Sequence, residues 1–231
     1  MQESGKYSLA DGRLVATDLS CRRGGRVVFE GVTFDVGPGD FLHLKGSNGS
    51  GKTTLIRMLA GFISTRTGSL TYDSEVIDIE DVSGTCSFIY SGHQHGLKSV
   101  LTLRENSEAY YQLMTGQTLP EGRLQKAVKA FGLSALVDHP VRFFSSGQAH
   151  RCSLLRFLLL DRPVWLMDEP TVGLDSANRE LLCLMMAEHL EKGGIIIAAS
   201  HDPINLPGQT RNQTLEMASY APTSREEEIW L

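Results

Sequence analysis

The most constraining feature of the sequence is a glycine-rich segment that spans residues 46–53. It consists of Gly46, Ser47, Asn48, Gly49, Ser50, Gly51, Lys52 and Thr53, and it matches the pattern G-x-x-x-x-G-K-[ST] at every fixed position. A strand-like apolar run precedes it and a helix-like run follows it, as this pattern requires. Glycines allow successive backbone N–H groups to face one phosphate group, and the following helix N-terminus adds positive potential. The segment therefore predicts a phosphate-binding loop rather than an ordinary glycine-rich turn.

Three side chains of this region have predicted roles. Lys52 is expected to place its charge on the β- and γ-phosphate oxygens of a nucleotide, and Thr53 to offer its hydroxyl to Mg²⁺. Thr54 follows the motif directly and is included among the predicted nucleotide-binding residues. The loop thus predicts a nucleoside triphosphate and Mg²⁺ as ligands.

Two carboxylates follow the apolar run at residues 164–167. In an open α/β sheet, ligands bind at the carboxyl ends of the strands, which is where Asp168 and Glu169 would lie. We predict that Asp168 holds Mg²⁺ through a water and that Glu169 orients and deprotonates the attacking water. A solvated acidic pair at a strand end is the alternative. The loop and the carboxylates alone leave several nucleotide-binding families open, from kinases to small GTPases.

The pattern around these motifs predicts an α/β fold with an inserted helical part. Short strand-like runs separated by glycine-rich turns occupy residues 14–45 and predict an antiparallel edge sheet. Residues 98–160 have helical periodicity and predict a helical subdomain, with Thr102 and either Ser145 or Ser146 as N-caps.

The second half of the chain returns to alternating strands and helices. The apolar runs at 164–167 and 195–200 flank a helical segment, which predicts a parallel core sheet. Residues 206–231 are mostly polar and lack a sustained period, so we expect a weakly structured tail there. Residues 1–205 are predicted to form the nucleotide-binding domain.

Charge and hydropathy narrow the possible partners. The net charge is −5, with 22 basic and 27 acidic residues, so no overall basic field favours nucleic acid, which is not expected as a partner. The apolar runs are too short to span a bilayer, and the first residues lack the apolar core of a signal peptide. These observations predict a cytosolic protein, or a matrix or stromal one if the chain is organelle-encoded.

Further elements resemble the ATP-binding cassette family. Phe144, Ser145, Ser146, Gly147 and Gln148 resemble its LSGGQ signature, while Gln94 matches the Q-loop, Asp175 the D-loop and His201 the switch histidine. The order and spacing of these elements are those of the family, and the resemblance covers about residues 14–203. It implies a P-loop nucleoside-triphosphatase core of cassette type, with a parallel sheet, an N-terminal antiparallel β subdomain and an inserted helical subdomain.

The resemblance also implies roles and partners. ATP and Mg²⁺ would be the ligands, and Ser145 and Gly147 would contact the γ-phosphate held by the loop of a second copy in a homodimer. Gln148 and Asp175 are included among the predicted nucleotide-binding residues. Gln94 would link metal and water to the helical subdomain, and His201 would hydrogen-bond the γ-phosphate and the attacking water. The dimer would dock on integral membrane transporter subunits. Its location would be peripheral, on the cytoplasmic face of the inner membrane, or on the matrix side in an organelle.

Two positions depart from the family pattern. Arg23 stands where many cassettes place an aromatic residue against adenine, and an arginine plane can stack on a base less selectively. Ser146 stands at the first glycine of the signature, where it adds a side chain but keeps the backbone donors. We expect ATP hydrolysis to survive the change at Ser146.

A narrower resemblance lies in residues 92–106, which are similar to a stretch of the ATP-binding subunits of haem exporters used in cytochrome c maturation. Another cassette importer or exporter, or a soluble cassette that acts on nucleic acid or ribosomes, is the alternative. His93 and His95 flank Gln94. We interpret them as shaping the loop or touching a partner rather than as ligands of metal or haem.

Overall fold

The structure, a computed structural model, describes residues 12–64, 67–77, 87–92, 94–208 and 211–222. The strands are β1 (Leu14–Arg23), β2 (Arg26–Val36), β3 (Asp40–Lys45), β4 (Thr67–Tyr72), β5 (Glu75–Val76), β6 (Phe88–Ser91), β7 (Val164–Asp168), β8 (Ile195–Ala199) and β9 (Arg211–Glu216). The helices are α1 (Lys52–Leu59), α2 (Leu103–Thr115), α3 (Glu121–Ala130), α4 (Ser146–Leu154), α5 (Arg156–Leu159) and α6 (Ser176–Glu191).

An antiparallel sheet of order β2-β1-β4-β5 forms the N-terminal part of the molecule, as predicted. The sequence predicts two short strands on either side of Gly31, but β2 is one strand from Arg26 to Val36. Gly31 has a φ of 71°, and the pairing with β1 shifts register nearby. A residue that accepts positive φ lets a strand continue through an irregularity of this kind.

The second sheet is parallel and has the order β6-β7-β8-β3-β9. Every residue of β7 and of β8 is buried, because other elements cover both faces of this sheet. The carboxyl ends of parallel strands lie at the same edge. The segments that follow β3, β7 and β8 therefore meet there.

Successive side chains of the central strands belong to two different cores. Trp165 and Ile196 pack with the helical part of the chain, whereas Leu166 and Ile197 pack with α1 and the antiparallel sheet. This division follows from the alternation of side chains along a strand. It explains why both strands are continuous apolar runs in the sequence.

Two capping boxes begin helices of the 103–159 region. The Thr102 hydroxyl accepts from the Glu105 N–H at the start of α2, and the Ser145 hydroxyl accepts from the Gln148 N–H at the start of α4. The prediction of Thr102 as an N-cap is confirmed, and Ser145 rather than Ser146 caps α4. The helices predicted between residues 98 and 160 are present, while the domain division itself stays a prediction.

The segment after residue 205 differs from the weakly structured tail that the sequence predicts. Residues 211–216 form β9, which pairs in parallel with β3 from Asp40↔Arg211 to Lys45↔Glu216. An edge strand exposes most of its side chains, and in β9 only Leu215 is buried. Its polar composition therefore concealed a strand whose partner lies far away in the sequence.

Among the described helices, none combines the length and the apolar character needed to cross a membrane.

His189 lies buried on the inner face of α6. Its ring stacks on Trp165 with a centroid separation of 3.9 Å and an interplanar angle of 12°, and its Nε2 lies 3.1 Å from the Pro163 carbonyl oxygen. Burial lowers the pKa of His189 from 6.5 to about 4, so the folded protein holds a neutral ring that donates from Nε2.

This pKa shift predicts a stability loss in acid. Between pH 6.5 and pH 4 the unfolded chain binds more protons at His189 than the folded chain does. The free energy of unfolding therefore decreases as the pH falls through this range. The shift corresponds to about 3 kcal/mol over this range. Urea unfolding at pH 7 and pH 4.5 should show a smaller pH-dependent loss in His189→Gln than in the wild type, since carboxylate titration is common to both. An equal loss would contradict the assignment.

Candidate nucleotide-binding site

The loop between β3 and α1 has a backbone conformation that requires glycine. Gly46, Gly49 and Gly51 have φ values of 147°, 83° and 98°. A Cβ added at Gly46 would lie 2.5 Å from the Ser50 Oγ, and one at Gly51 would lie 3.0 Å from the Phe29 Cδ1. The loop therefore folds tightly against its own residues and against β2, and its positive-φ glycines give it the kind of curled backbone that phosphate loops need.

The polar groups of the loop are those that a phosphate group needs. The Lys52 ammonium donates to the Gly46 carbonyl at 2.6 Å and to the Ser47 carbonyl at 3.1 Å, so it lies across the loop. The Ser50 hydroxyl is buried and has no hydrogen-bond partner among the described residues. A buried hydroxyl in this situation is normally satisfied by a ligand or water. The loop thus fits a phosphate acceptor at this position.

Oxygen ligands for a divalent cation lie at the start of α1. The Thr53 Oγ1 donates to the Asp168 Oδ1 at 3.0 Å, which joins the phosphate loop to the end of β7. Asp168 is almost fully buried. A hydroxyl and a carboxylate beside a phosphate loop are the donors that Mg²⁺ takes in nucleotide sites. These residues therefore fit the predicted Mg²⁺.

Glu169 lies beside His201 at the same sheet edge. The Glu169 N–H donates to the Ala199 carbonyl at 2.8 Å, and Glu169 has a φ of 55°. Non-glycine residues rarely adopt this region, and those that do cluster at functional sites. The Glu169 Oε1 lies 3.6 Å from the His201 Nε2, and the His201 N–H donates to the Glu169 Oε2 at 3.3 Å. A carboxylate and an imidazole are thus paired, and the carboxylate directly follows Asp168, a predicted ligand of Mg²⁺.

The remaining predicted site residues lie elsewhere. Gln94 is exposed after β6, and Ser145 is exposed at the start of α4. A Cβ at Gly147 would lie 3.6 Å from the Gly173 carbonyl oxygen. Asp175 caps α6, and hydrogen bonds from the Asn178 backbone and side-chain N–H groups lower the pKa of its carboxyl.

No hydrogen bond among the described residues joins Ser145, Gln148 or Asp175 to the loop of the same chain. The exposed Arg23 ends β1 and pairs with Arg26 across a glycine turn, on the hairpin whose second strand packs against Gly51. The roles assigned to these residues stay predictions. His93 lies outside the described residues.

Sequence reasoning missed two supports of the site. Met217, which follows β9, is fully buried, and added Cβ atoms at Gly46 and Gly51 would lie 3.4 and 3.5 Å from its side chain. The His43 Nε2 lies 3.2 Å from the Ser200 carbonyl oxygen, and burial lowers the pKa of His43. The only signals were an isolated methionine in a polar segment and a histidine within an apolar strand.

The fold and the site define a P-loop nucleoside triphosphatase. The family model for the ABC transporter matches residues 29–172, more than half of the chain. The chain therefore belongs to the ABC transporter family, and it is an ATPase of the ATP-binding cassette type, as the resemblance predicts.

Similar proteins agree with this assignment. The "Cytochrome c biogenesis ATP-binding export protein CcmA" of Paramagnetospirillum magneticum is 37% identical over 201 residues, 87% of this chain and 93% of that protein. The protein of the same name from Rhodospirillum rubrum is 37% identical over 222 residues, 95% of this chain and 92% of that protein.

Solved structures show the same fold. A putative ABC transporter ATP-binding protein from Pyrococcus furiosus has a TM-score of 0.75 at 20% identity, and the match covers 91% of this chain and 100% of that chain. An ATP-binding subunit of an ABC transporter has a TM-score of 0.71 at 28% identity, with coverages of 81% and 79%. The predicted fold class is confirmed.

Met217 provides a test of the packing below the loop. Met217→Ala should lower the free energy of unfolding by about 2–5 kcal/mol, the usual cost of such a buried truncation, and should weaken ATP binding because the loop loses its support. Met185→Ala removes a buried methionine from the other core and is the matched control. It should lose stability but keep the ATP affinity measured by calorimetry. Equal ATP affinities in the two variants would contradict a role for Met217 at the loop.

Proposed function

We propose that this chain is the ATP-hydrolysing subunit of a haem exporter that serves cytochrome c biogenesis. The single observation that carries the ATP-hydrolysing role is the junction at the sheet edge, where the Thr53–Asp168 hydrogen bond joins the phosphate loop to the strand that leads into Glu169. The likeness to export proteins named for cytochrome c biogenesis over most of the chain supports the choice of transport system. The similarity of residues 92–106 to a stretch of haem-exporter ATP-binding subunits supports the same choice.

The loop would bind the triphosphate. The N–H groups around Gly49 and Gly51 and the N-terminus of α1 supply positive potential to the β-phosphate. Lys52 can exchange its bonds to the Gly46 and Ser47 carbonyls for bonds to β- and γ-phosphate oxygens. Thr54, next along α1, and the Ser50 hydroxyl add donors at the same end of the helix.

Glu169 and His201 would carry the hydrolytic step. A water held by Glu169 attacks the γ-phosphorus, its proton passes to the Glu169 carboxylate, and the bond between the γ-phosphorus and the β–γ bridging oxygen breaks to give ADP and inorganic phosphate. His201, 3.6 Å from Glu169, would hydrogen-bond the γ-phosphate and the attacking water. Thr53 and Asp168 would hold Mg²⁺, which would supply positive charge to the triphosphate.

A second copy of the chain would complete each site. The signature helix α4 begins at an exposed Ser145, which among the described residues has no hydrogen bond to the loop of its own chain. A capped helix N-terminus open to solvent can meet the γ-phosphate that another chain holds, with Gly147 and Gln148 in its first turn and Asp175 nearby. Gln94 would link the metal and the water to the helical subdomain. Arg23 would stack on the base.

The dimer would dock on integral membrane subunits at the cytoplasmic face of the inner membrane, or at the matrix side in an organelle. Co-purification of the chain in detergent with membrane proteins that handle haem would support this transport role. Recovery with ribosomes or DNA would favour a soluble cassette instead. Recovery with unrelated transporter subunits would favour another ABC importer or exporter.

Glu169→Gln tests the general base. Removal of the carboxylate should leave ATP binding intact and slow turnover by on the order of 10²–10⁴-fold, the usual contribution of a positioned base. Binding can be followed with a fluorescent ATP analogue and turnover by release of inorganic phosphate. Glu180→Gln, an exposed change on α6, is the control and should hydrolyse ATP normally. Wild-type turnover in Glu169→Gln would refute the assignment.

Complementation in mixed dimers tests the shared site. Ser145→Arg and Lys52→Ala should each abolish ATP hydrolysis as homodimers, the first by blocking the signature and the second by disabling the loop. A mixed dimer contains one site with an intact loop and an intact signature, so mixing the two proteins should restore phosphate release. If each signature served the loop of its own chain, the mixture would stay inactive.

A further inference from the structure

Arg156, on the short helix α5, connects several elements of the molecule through one buried side chain. Its Nη1 donates to the Tyr90 carbonyl at 2.9 Å, its Nη2 to the His95 carbonyl at 2.5 Å and its Nε to the Ser153 carbonyl at 2.7 Å. The guanidinium also lies over the Tyr110 ring of α2, with its Cζ 5.2 Å from the centroid. One fork thus joins β6, the loop after it and two helices.

Two of these contacts flank Gln94 along the chain. Tyr90 belongs to β6, on the amino-terminal side of Gln94, and His95 follows Gln94 directly. Both are bound by different nitrogens of the same guanidinium. The planar fork fixes the separation of the two carbonyls, because its nitrogens cannot move independently. The path of the chain through Gln94 is therefore set by a residue of the helical region.

A second contact joins the same loop to the signature helix. The His95 ring stacks on the ring of His150, with centroids 5.1 Å apart and an interplanar angle of 21°. His150 is buried on α4, the helix that Ser145 caps. Residues of α4 and α5 thus hold both the backbone and the ring of the residue after Gln94.

Stability alone does not account for the buried guanidinium. No ion pair with a carboxylate joins Arg156 within the described part of the chain, and burial lowers its pKa. A buried charge that is offset by carbonyl oxygens and one aromatic ring, without a carboxylate, stabilises a fold less well than apolar packing of the same volume. The rigid fork is better explained by the geometry that it imposes on the loop.

We propose that Arg156, assisted by His150, is the positioning residue that fixes Gln94 in its own ATP site and ties it to the signature helix. The inference rests on the proposed function, in which Gln94 serves the metal and water of its own site and Ser145 serves the site of the second copy. Because α4 and α5 carry both Ser145 and Arg156, engagement of the partner's nucleotide by Ser145 shifts the loop at Gln94. Each ATP site then senses the other through one helical unit.

Hydrogen exchange of the full chain, without nucleotide, tests the anchoring directly. Arg156→Lys keeps the charge but lacks the planar fork whose separate nitrogens reach the Tyr90 and His95 carbonyls, so amides of residues 92–98 should exchange at least about 10-fold faster. Arg162→Lys is the matched control, because Arg162 donates to the Met114 carbonyl at 3.0 Å at the end of α2. It should leave residues 92–98 unchanged. Unchanged exchange in Arg156→Lys would overturn the inference.

A double-mutant cycle on the transporter complex tests the functional consequence. Arg156→Lys should lower kcat on the order of 10-fold with little change in KM for ATP, and Gln94→Ala should do the same. The double variant should be no slower than Gln94→Ala alone, because Arg156 acts through Gln94. If the kcat losses of the two single variants multiplied in the double variant, the inference would be overturned. Full turnover in Gln94→Ala would refute the role of Gln94 and this inference with it, while the Glu169 result would still stand for the ATPase.

His150 supplies a second route if Arg156→Lys fails to fold. His150→Phe keeps a ring against His95, whereas His150→Ala removes it. Turnover and exchange at residues 92–98 should be near wild type in the Phe variant and altered in the Ala variant, in the same direction as in Arg156→Lys. Identical behaviour of the Phe and Ala variants would overturn the stacking contribution.

Discussion

The parallel pairing of β3, β7 and β8 is the constraint on which the site depends. β8 lies between β7 and β3, so the phosphate loop after β3, the carboxylates after β7 and His201 after β8 meet at one edge. The hydrogen bond from Thr53 to Asp168 closes this arrangement between residues that are 115 positions apart. The residues proposed as metal ligands, general base and phosphate donors come together because the sheet register places them there.

The helical region adds the second level of organisation. Its signature helix begins at Ser145 and leads into Arg156, whose guanidinium binds the backbone on both sides of Gln94. In the proposed dimer, packed and directional contacts of this kind can carry a change at one nucleotide to the other. In the proposed dimer, the same helical unit serves two ATP sites.

Local patterns predicted much of the fold, and long-range pairing accounts for the differences. The strand, loop and helix around Lys52, the buried strands at β7 and β8, and the N-cap at Thr102 have strong short-range signals, and the structure shows them. The strand β9 has none, because an edge strand with one buried residue resembles a polar tail. Met217 lies under the phosphate loop only because β9 pairs with β3. The single strand β2 depends likewise on its pairing with β1.

The sequence by itself determined the residues that the proposed chemistry needs: glycines that allow a phosphate loop, a lysine and a threonine at its end, and two carboxylates after an apolar strand. These features are encoded by residue type and short spacing. Only the tertiary structure decided that Glu169 pairs with His201, that Met217 and Phe29 support the loop, and that Arg156 holds the chain around Gln94. Such contacts join residues distant in sequence, and their geometry follows from strand register and helix packing, which no local pattern specifies.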